Sequence, residues 1–312
     1  MLRASLLWLS EQPSVFRFVR TNGIARRMAS RFVAGETVDS AVNALRELNA
    51  VGISGTLDLL GEAVRSVADA RAARDTYLEA LDRIQQVGAD SHVSLKLTQM
   101  GLDIGEQECV EHVRAIVSRA GARRSFVRID MEGSTYTERT LELFTQRLHP
   151  EFGDTVGVVL QSYLRRTERD VANMIALGAR VRLCKGAYQE TADIAFPKKQ
   201  DVDANYVACM QRLLERGNYP AIATHDERII TQAKTFATSH GIPPTRFEFQ
   251  MLFGVRRDLQ RALRREGYRL RVYVPFGDQW YPYLMRRLAE RPGNIAFLLS
   301  SVVKESLRRS AT

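Results

Sequence analysis

Tyr283, Arg286, Arg287 and Glu290 stand at i, i+3, i+4 and i+7 in the run Tyr283-Leu284-Met285-Arg286-Arg287-Leu288-Ala289-Glu290. Wound as a helix, they share one face. That face offers an aromatic wall, two guanidinium forks and a carboxylate. Such a set suits a small zwitterion with an apolar body: the forks take its carboxylate, and the glutamate takes its ammonium. The plainer reading is an exposed face laced with ion pairs. Leu284 and Leu288 make an apolar seam beside it.

Other residues of chemical promise lie at the ends of short apolar runs. Lys96 closes Ser94-Leu95-Lys96-Leu97, and Asp130 lies in Arg128-Ile129-Asp130-Met131-Glu132. Gln161-Ser162-Tyr163 ends a fourth run, and Arg182-Leu183-Cys184-Lys185-Gly186-Ala187-Tyr188 a fifth. Thr224-His225-Asp226, Glu248-Phe249-Gln250-Met251-Leu252 and Tyr273-Val274-Pro275 end the last three. Arg182 and Lys185 beside Gly186-Ala187 suit a phosphate, or a flavin ring with its diphosphate. Taken alone, they also read as a surface turn. Lys96 in an apolar run could bind a carboxylate or form a Schiff base; its ordinary role is a snorkelling lysine. Glu62, in Leu59-Leu60-Gly61-Glu62, reads by default as a helix-face carboxylate.

The elements that must position these residues are strands followed by helices. Candidate strands are Gly52–Leu57, His92–Leu97, Ser125–Met131, Val156–Gln161, Arg180–Leu183, Ala221–Thr224, Arg246–Gln250 and Leu270–Val274. Helical patterns follow, as at Thr56–Val87, Glu106–Ala120, Thr137–Leu148 and Thr167–Ala176. Strand starts recur every roughly 23–40 residues, the spacing of βα units. Eight units in succession predict a (βα)8 barrel over 51–312, behind a helical arm over 1–50. A doubly wound sheet also alternates, but the count of eight favours the barrel. In such barrels chemistry sits at the C-terminal strand ends, where these polar residues fall.

Composition narrows the function. The 312 residues are 45% hydrophobic, enough for one large core. A net charge of +9 permits an anionic cofactor, a membrane surface or nucleic acid. The basic residues are spread out with no aromatic-studded tract, which weakens the nucleic-acid reading. Cys109, Cys184 and Cys209 show no CxxC spacing and read as reduced thiols in a cytosolic protein. The five histidines lack metal-ligand spacing, so no metal is expected. No GxGxxG follows a strand, and no P-loop is present. No apolar run approaches the about 20 residues of a spanning helix. Met1 to Val33 is Arg-rich and acid-poor like a transit peptide, yet fits two helices joined by Asn22-Gly23.

These stretches resemble the monofunctional bacterial proline dehydrogenases, FAD-dependent oxidoreductases. The resemblance rests on Phe32-Val33-Ala34-Gly35-Glu36-Thr37, Leu59-Leu60-Gly61-Glu62, Ser94 to Leu97, Arg182 to Tyr188, Ala223-Thr224-His225, Phe249 to Leu252, Tyr273 to Gly277 and the Tyr283 to Glu290 run. Arg-Arg-x-x-Glu and Arg-Leu-x-Lys-Gly-Ala-Tyr are the most telling, and the match runs from about residue 32 to 303.

The resemblance implies a distorted (βα)8 barrel whose eighth helix lies over the strand C-terminal ends. It implies that Lys96, Arg286 and Arg287 bind the proline carboxylate and Glu290 the ring amine. Tyr188, Leu252, Tyr273 and Tyr283 would wall the ring. Arg182 would stand near flavin N5, and Met131, Gln161, Lys185, Gly186, Ala187, Thr224 and His225 would line FAD. Asp130 is matched without a role beyond orienting neighbours, and Glu62 would latch to Arg287 as a gate. Tyr283 implies proline over hydroxyproline. Gln189 replaces an aromatic common in the bifunctional members.

The implied reaction is oxidation of L-proline to Δ1-pyrroline-5-carboxylate, the first step of proline catabolism, with electrons passed to a membrane quinone. The chain stops at Thr312 without an aldehyde dehydrogenase, so a separate pyrroline-5-carboxylate dehydrogenase is expected. The expected location is the cytoplasm, peripheral on the inner face of the membrane. Two other readings remain at this stage: a Schiff-base lyase using Lys96, and a nucleic-acid binder resting only on charge.

Overall fold

The computed structural model describes residues 30–290, with side chains as far as Met285. Its elements run α1 Val38–Ala50, β1 Ser54–Leu59, α2 Val67–Gln86, β2 Ser91–Leu95, α3 Glu106–Ala122, β3 Val127–Ile129, α4 Ser134–Leu143, α5 His149–Phe152, β4 Val156–Gln161, α6 Thr167–Ala176, β5 Arg180–Cys184, α7 Lys199–Arg216, β6 Ala221–Ala223, α8 Glu227–Ser239, β7 Glu248–Leu252, α9 Arg257–Arg265, β8 Leu270–Phe276 and α10 Trp280–Glu290. The eight strands pair in sequence order, all parallel, and β8 closes on β1. The expected (βα)8 barrel is therefore the observed fold. Residues 1–29 of the predicted arm lie outside the described residues; α1 is its described part.

Local chemistry explains several boundaries. Thr37 and Ser40 cap α1 reciprocally: each hydroxyl accepts the other's backbone N–H. Ser66 caps α2 by accepting the Asp69 N–H. The helix expected from Thr56 thus begins at Val67, because Thr56 to Leu59 pair with β8 out to Phe276. The strand expected over Gly52–Leu57 is observed as Ser54–Leu59, its last residues fixed by pairing with β8. The helix expected over Thr137–Leu148 runs as α4 to Leu143 and then widens into a π-turn over Phe144–Leu148.

Strands alternate sharply. Leu57, Val93, Leu95, Val127, Ile129, Val158, Leu160, Val181, Leu183, Phe249, Met251, Val272 and Val274 are buried in one apolar cluster with the helices. Burying one such side chain is worth about 1.5–3 kcal/mol. The intervening residues face the lumen, and most of them are polar, Val159, Ala221 and Ala223 being exceptions. Arg182 on β5 donates to Ser94 on β2 at 2.8 Å. Arg271 on β8 pairs with Glu248 on β7 at 3.0 Å, and Arg128 on β3 donates to the Val158 carbonyl at 3.3 Å. Barrel lumens are ordinarily filled with branched apolar layers; this one is bridged by ions and hydrogen bonds. Gly157 makes room for it, since a Cβ there would stand 2.6 Å from the Arg128 guanidinium and 2.4 Å from the Arg180 carbonyl.

A second apolar cluster covers the strand C-terminal ends. Phe32, Val33 and Leu60 pack with Trp280, Tyr281, Tyr283, Leu284 and Met285 at the start of α10. The Trp280 indole N–H donates to Glu36 at 3.0 Å. This seats the eighth helix over the barrel mouth.

Candidate active site

The mouth opens into a cavity of about 1880 Å³. That exceeds the about 300–1000 Å³ of ordinary small-ligand pockets, so it has room for a large cofactor with a small substrate. Its walls bring together residues from strand ends far apart in sequence: Glu62, Lys96, Asp130, Met131, Arg182, Lys185, Gly186, Ala187, Tyr188, Thr224, His225, Leu252, Tyr273 and Tyr283. Gln161 lies buried behind this wall, donating to the Met131 carbonyl at 3.2 Å. Arg286, Arg287 and Glu290 belong to α10, but their side chains lie outside the described residues, and so does the expected Glu62–Arg287 gate.

At the centre Asp130 is held from three sides. Arg182 approaches it at 3.0 Å, Ser94 donates to it at 2.6 Å, and the Tyr273 hydroxyl donates at 2.9 Å. The Arg182 guanidinium also lies 5.3 Å from the Tyr273 ring centroid. Burial pushes the Tyr273 hydroxyl well up, and the charges of Asp130 and Asp58 add to it, so it stays a donor.

The residue missed in the sequence is Asp58. It is 1% exposed and lines the same cavity. The Lys96 ammonium donates to its two oxygens at 3.0 and 3.3 Å. Burial lifts the Asp58 carboxyl to about 6, with Asp130 adding and Lys96 opposing. Burial alone would pull Lys96 down, but Asp58, Asp130 and Glu62 outweigh it and keep the ammonium charged. An ammonium held this way is a poor Schiff-base nucleophile, which removes the support for the lyase reading. The signal for Asp58 was present: an aspartate inside Thr56-Leu57-Asp58-Leu59-Leu60 interrupts an otherwise apolar run, where an unpaired charge is costly.

The outer wall is built by the loop after β5. Gly186 has φ +98°, and a Cβ there would lie 2.1 Å from the Tyr163 ring. Only glycine permits this approach. Lys185 is gripped by Asp203 at 2.6 Å and Asp226 at 2.9 Å. His225 Nε2 accepts the Leu252 N–H at 2.9 Å, which puts the proton of the neutral ring on Nδ1. The Asp226 N–H donates to the Thr224 hydroxyl at 3.1 Å. Among the buried atoms here that have no hydrogen-bond partner among the described residues are Gln161 Oε1, an acceptor, and Arg182 Nε, a donor. Among the described residues no group of three His, Cys, Asp or Glu side chains is placed to hold a metal ion.

An eight-stranded parallel barrel with a charged cluster at its C-terminal mouth defines a barrel enzyme. The family profile described as "Proline dehydrogenase" matches residues 41–299. The chain belongs to the proline dehydrogenase family, and it is an oxidoreductase. It is 43% identical over 305 residues to proline dehydrogenase 1 of Bacillus subtilis subsp. natto, covering 98% of this chain and 100% of that protein. It is 42% identical over 308 residues to the proline dehydrogenase of Deinococcus radiodurans, covering 97% of this chain and 98% of that protein. The crystal structure of proline utilization A from Bdellovibrio bacteriovorus, inactivated by N-propargylglycine, superposes with a TM-score of 0.80 at 27% identity. That match covers 91% of this chain and 38% of the other.

Proposed function

We propose that the protein oxidises L-proline to Δ1-pyrroline-5-carboxylate, the first step of proline catabolism, using FAD. One observation carries the reading: Lys96, Asp130, Arg182 and Tyr273 converge from four strands on one cavity beneath Tyr283. Membership of the family supplies the substrate class. The site fits a flavin by its own chemistry. Gln161 Oε1 and Arg182 Nε lack partners among the described residues, and an isoalloxazine edge carries the complementary N–H and acceptor groups.

In this reading Met131, Gln161, Lys185, Gly186, Ala187, Thr224 and His225 hold FAD, which when bound supplies the two-electron acceptor. Lys96, with Arg286 and Arg287, binds the proline carboxylate, and Glu290 the ring amine. Tyr188, Leu252, Tyr273 and Tyr283 enclose the ring. Fixing the carboxylate with several cations orients the C–H bond beside nitrogen, which is catalysis by positioning. Arg182, fixed by Asp130 and Ser94, places a permanent cation where negative charge develops. Asp130 acts by orienting Arg182 and Tyr273.

Electrons pass to a membrane quinone through peripheral contact at the inner face of the cytoplasmic membrane. Among the described residues no helix is long and apolar enough to cross a membrane. A separate pyrroline-5-carboxylate dehydrogenase completes the pathway. The relatives matched over nearly their full length are proline dehydrogenases, whereas the bifunctional PutA of Escherichia coli is matched over 24% of its length. Nothing in the site calls for nucleic acid. The test is spectroscopic. Purified protein is expected to be yellow and to bleach anaerobically with L-proline; a colourless protein that binds no flavin sinks the reading.

A further inference from the structure

Oxidising a secondary amine requires its nitrogen lone pair, so the substrate ammonium must lose a proton. Among the cavity groups, Asp58 has the placement to receive it. Its carboxylate is 1% exposed at the cavity wall and is held there by one cation, Lys96, whose ammonium spans 3.0 Å to Oδ1 and 3.3 Å to Oδ2. Lys96 itself is 13% exposed and forms the cavity face of the pair. The remaining charged or titratable groups that act on Asp58 are Asp130 from β3, Tyr273 from β8 and Tyr77 from α2. Both tyrosines stay neutral, and Asp130 is already committed to Arg182. Lys96 is thus the cation that keeps Asp58 ionised.

We propose that Asp58 is the terminal proton acceptor of the reaction, acting through Lys96 and switched on by the substrate's own carboxylate. The proposal rests on the reading of this cavity as a proline site. When a carboxylate arrives at Lys96, the ammonium divides itself between two anions. Asp58 then loses counter-charge while Asp130 still repels its negative form, so its proton affinity rises. In an α-amino acid the amine and the carboxylate are carried by the same carbon, so the group that holds one lies near the other. Lys96 passes its proton to Asp58 and takes one from the ring ammonium. The balance is one proton lost by the substrate and one gained by Asp58, with Lys96 cationic before and after. Removal of the C–H hydride is a separate event, for which a bound flavin would supply the acceptor. Asp58 is a positioning and proton-storing residue that never touches the ring.

The experiment needs no turnover. The flavin-loaded enzyme is titrated with tetrahydrofuran-2-carboxylate, the oxygen isostere of proline, which has no ammonium to give. Calorimetry in buffers of different ionisation enthalpy then counts protons. At about pH 7.5 the wild type is expected to take up close to one proton per site as the isostere binds. Asp58→Asn is expected to bind it with no uptake. Lys96→Met is expected to bind it more weakly, also with no uptake, because Asp58 without its cation is already protonated. Binding to the wild type without proton uptake overturns the proposal, as does unchanged uptake in either variant. Should Asp58→Asn lose its flavin, Lys96→Met decides alone. Failure of the isostere to bind at all overturns the proline reading and this proposal with it.

Discussion

The hydroxyl of Tyr273 donates to the carboxylate of Asp130 at 2.9 Å, across the lumen from β8 to β3. Asp130 also takes Arg182 at 3.0 Å and Ser94 at 2.6 Å, so one carboxylate fixes three side chains from three other strands. The geometry of the mouth depends on that single acceptor.

Tyr273→Phe keeps the ring and removes one donor to a charged acceptor. A hydrogen bond of this kind is worth about 1.5–3 kcal/mol. A fall of about tenfold in kcat/KM for proline is expected if about 1.4 kcal/mol of it is felt in the transition state. Flavin content should stay near wild type. Steady-state kinetics with a flavin assay checks both, and unchanged kcat/KM would show that the hydroxyl positions nothing.

Asp130→Asn leaves Arg182 buried beside a neutral amide. Removing one partner of a buried pair costs about 3–5 kcal/mol, and these side chains are only 8% and 12% exposed. Urea unfolding should show a loss of unfolding free energy of that size, with turnover reduced more than in Tyr273→Phe.

The pH dependence of stability carries the mark of Asp58. Its carboxyl is raised from 3.8 to about 6 in the folded protein. A raised carboxyl makes its full contribution to stability below the unfolded value and loses it as pH rises through the folded value. The stability of the wild type relative to Asp58→Asn should therefore fall by roughly 3 kcal/mol between pH 4 and 7. Denaturant titrations of both proteins across that window measure the difference, and a flat difference would refute the raised carboxyl.

Gly186→Ala places a methyl group against the Tyr163 ring in a backbone with φ +98°. Strain of this kind costs about 1–3 kcal/mol, and overpacking adds a similar amount. A lower melting temperature and less flavin per chain are expected. Adding Tyr163→Ala should relieve the overlap but not the backbone strain, so recovery should be partial.

Arg287→Met tests the part of the face whose side chain lies outside the described residues. The substitution should raise KM for proline far more than it lowers flavin content. An unchanged KM would show that this arginine does not hold the carboxylate.

The strands were legible because a buried parallel strand leaves a short apolar run between turn residues, as in Val156–Gln161 and Arg180–Cys184. Most of the polar strand-end residues were legible too, since Lys96 and Arg182 contradict the apolar runs around them. Asp58 is hidden because the apolar run reads as ending at Leu57, two residues before β1 does, which gives it the look of a helix start. The partnerships could not be read at all. Tyr273 and Asp130 are 143 residues apart, and Arg182 and Ser94 are 88 apart. No local periodicity encodes which inward residue meets which across a closed ring.

The seam that closes the barrel is β8 against β1, with Thr56 opposite Tyr273 and Asp58 opposite Pro275. β8 thus delivers Tyr273 to Asp130 and flanks Asp58. Closing the ring and tying down Asp130 depend on the same strand, so a lesion that loosens the β8–β1 seam also loosens the cluster at the mouth.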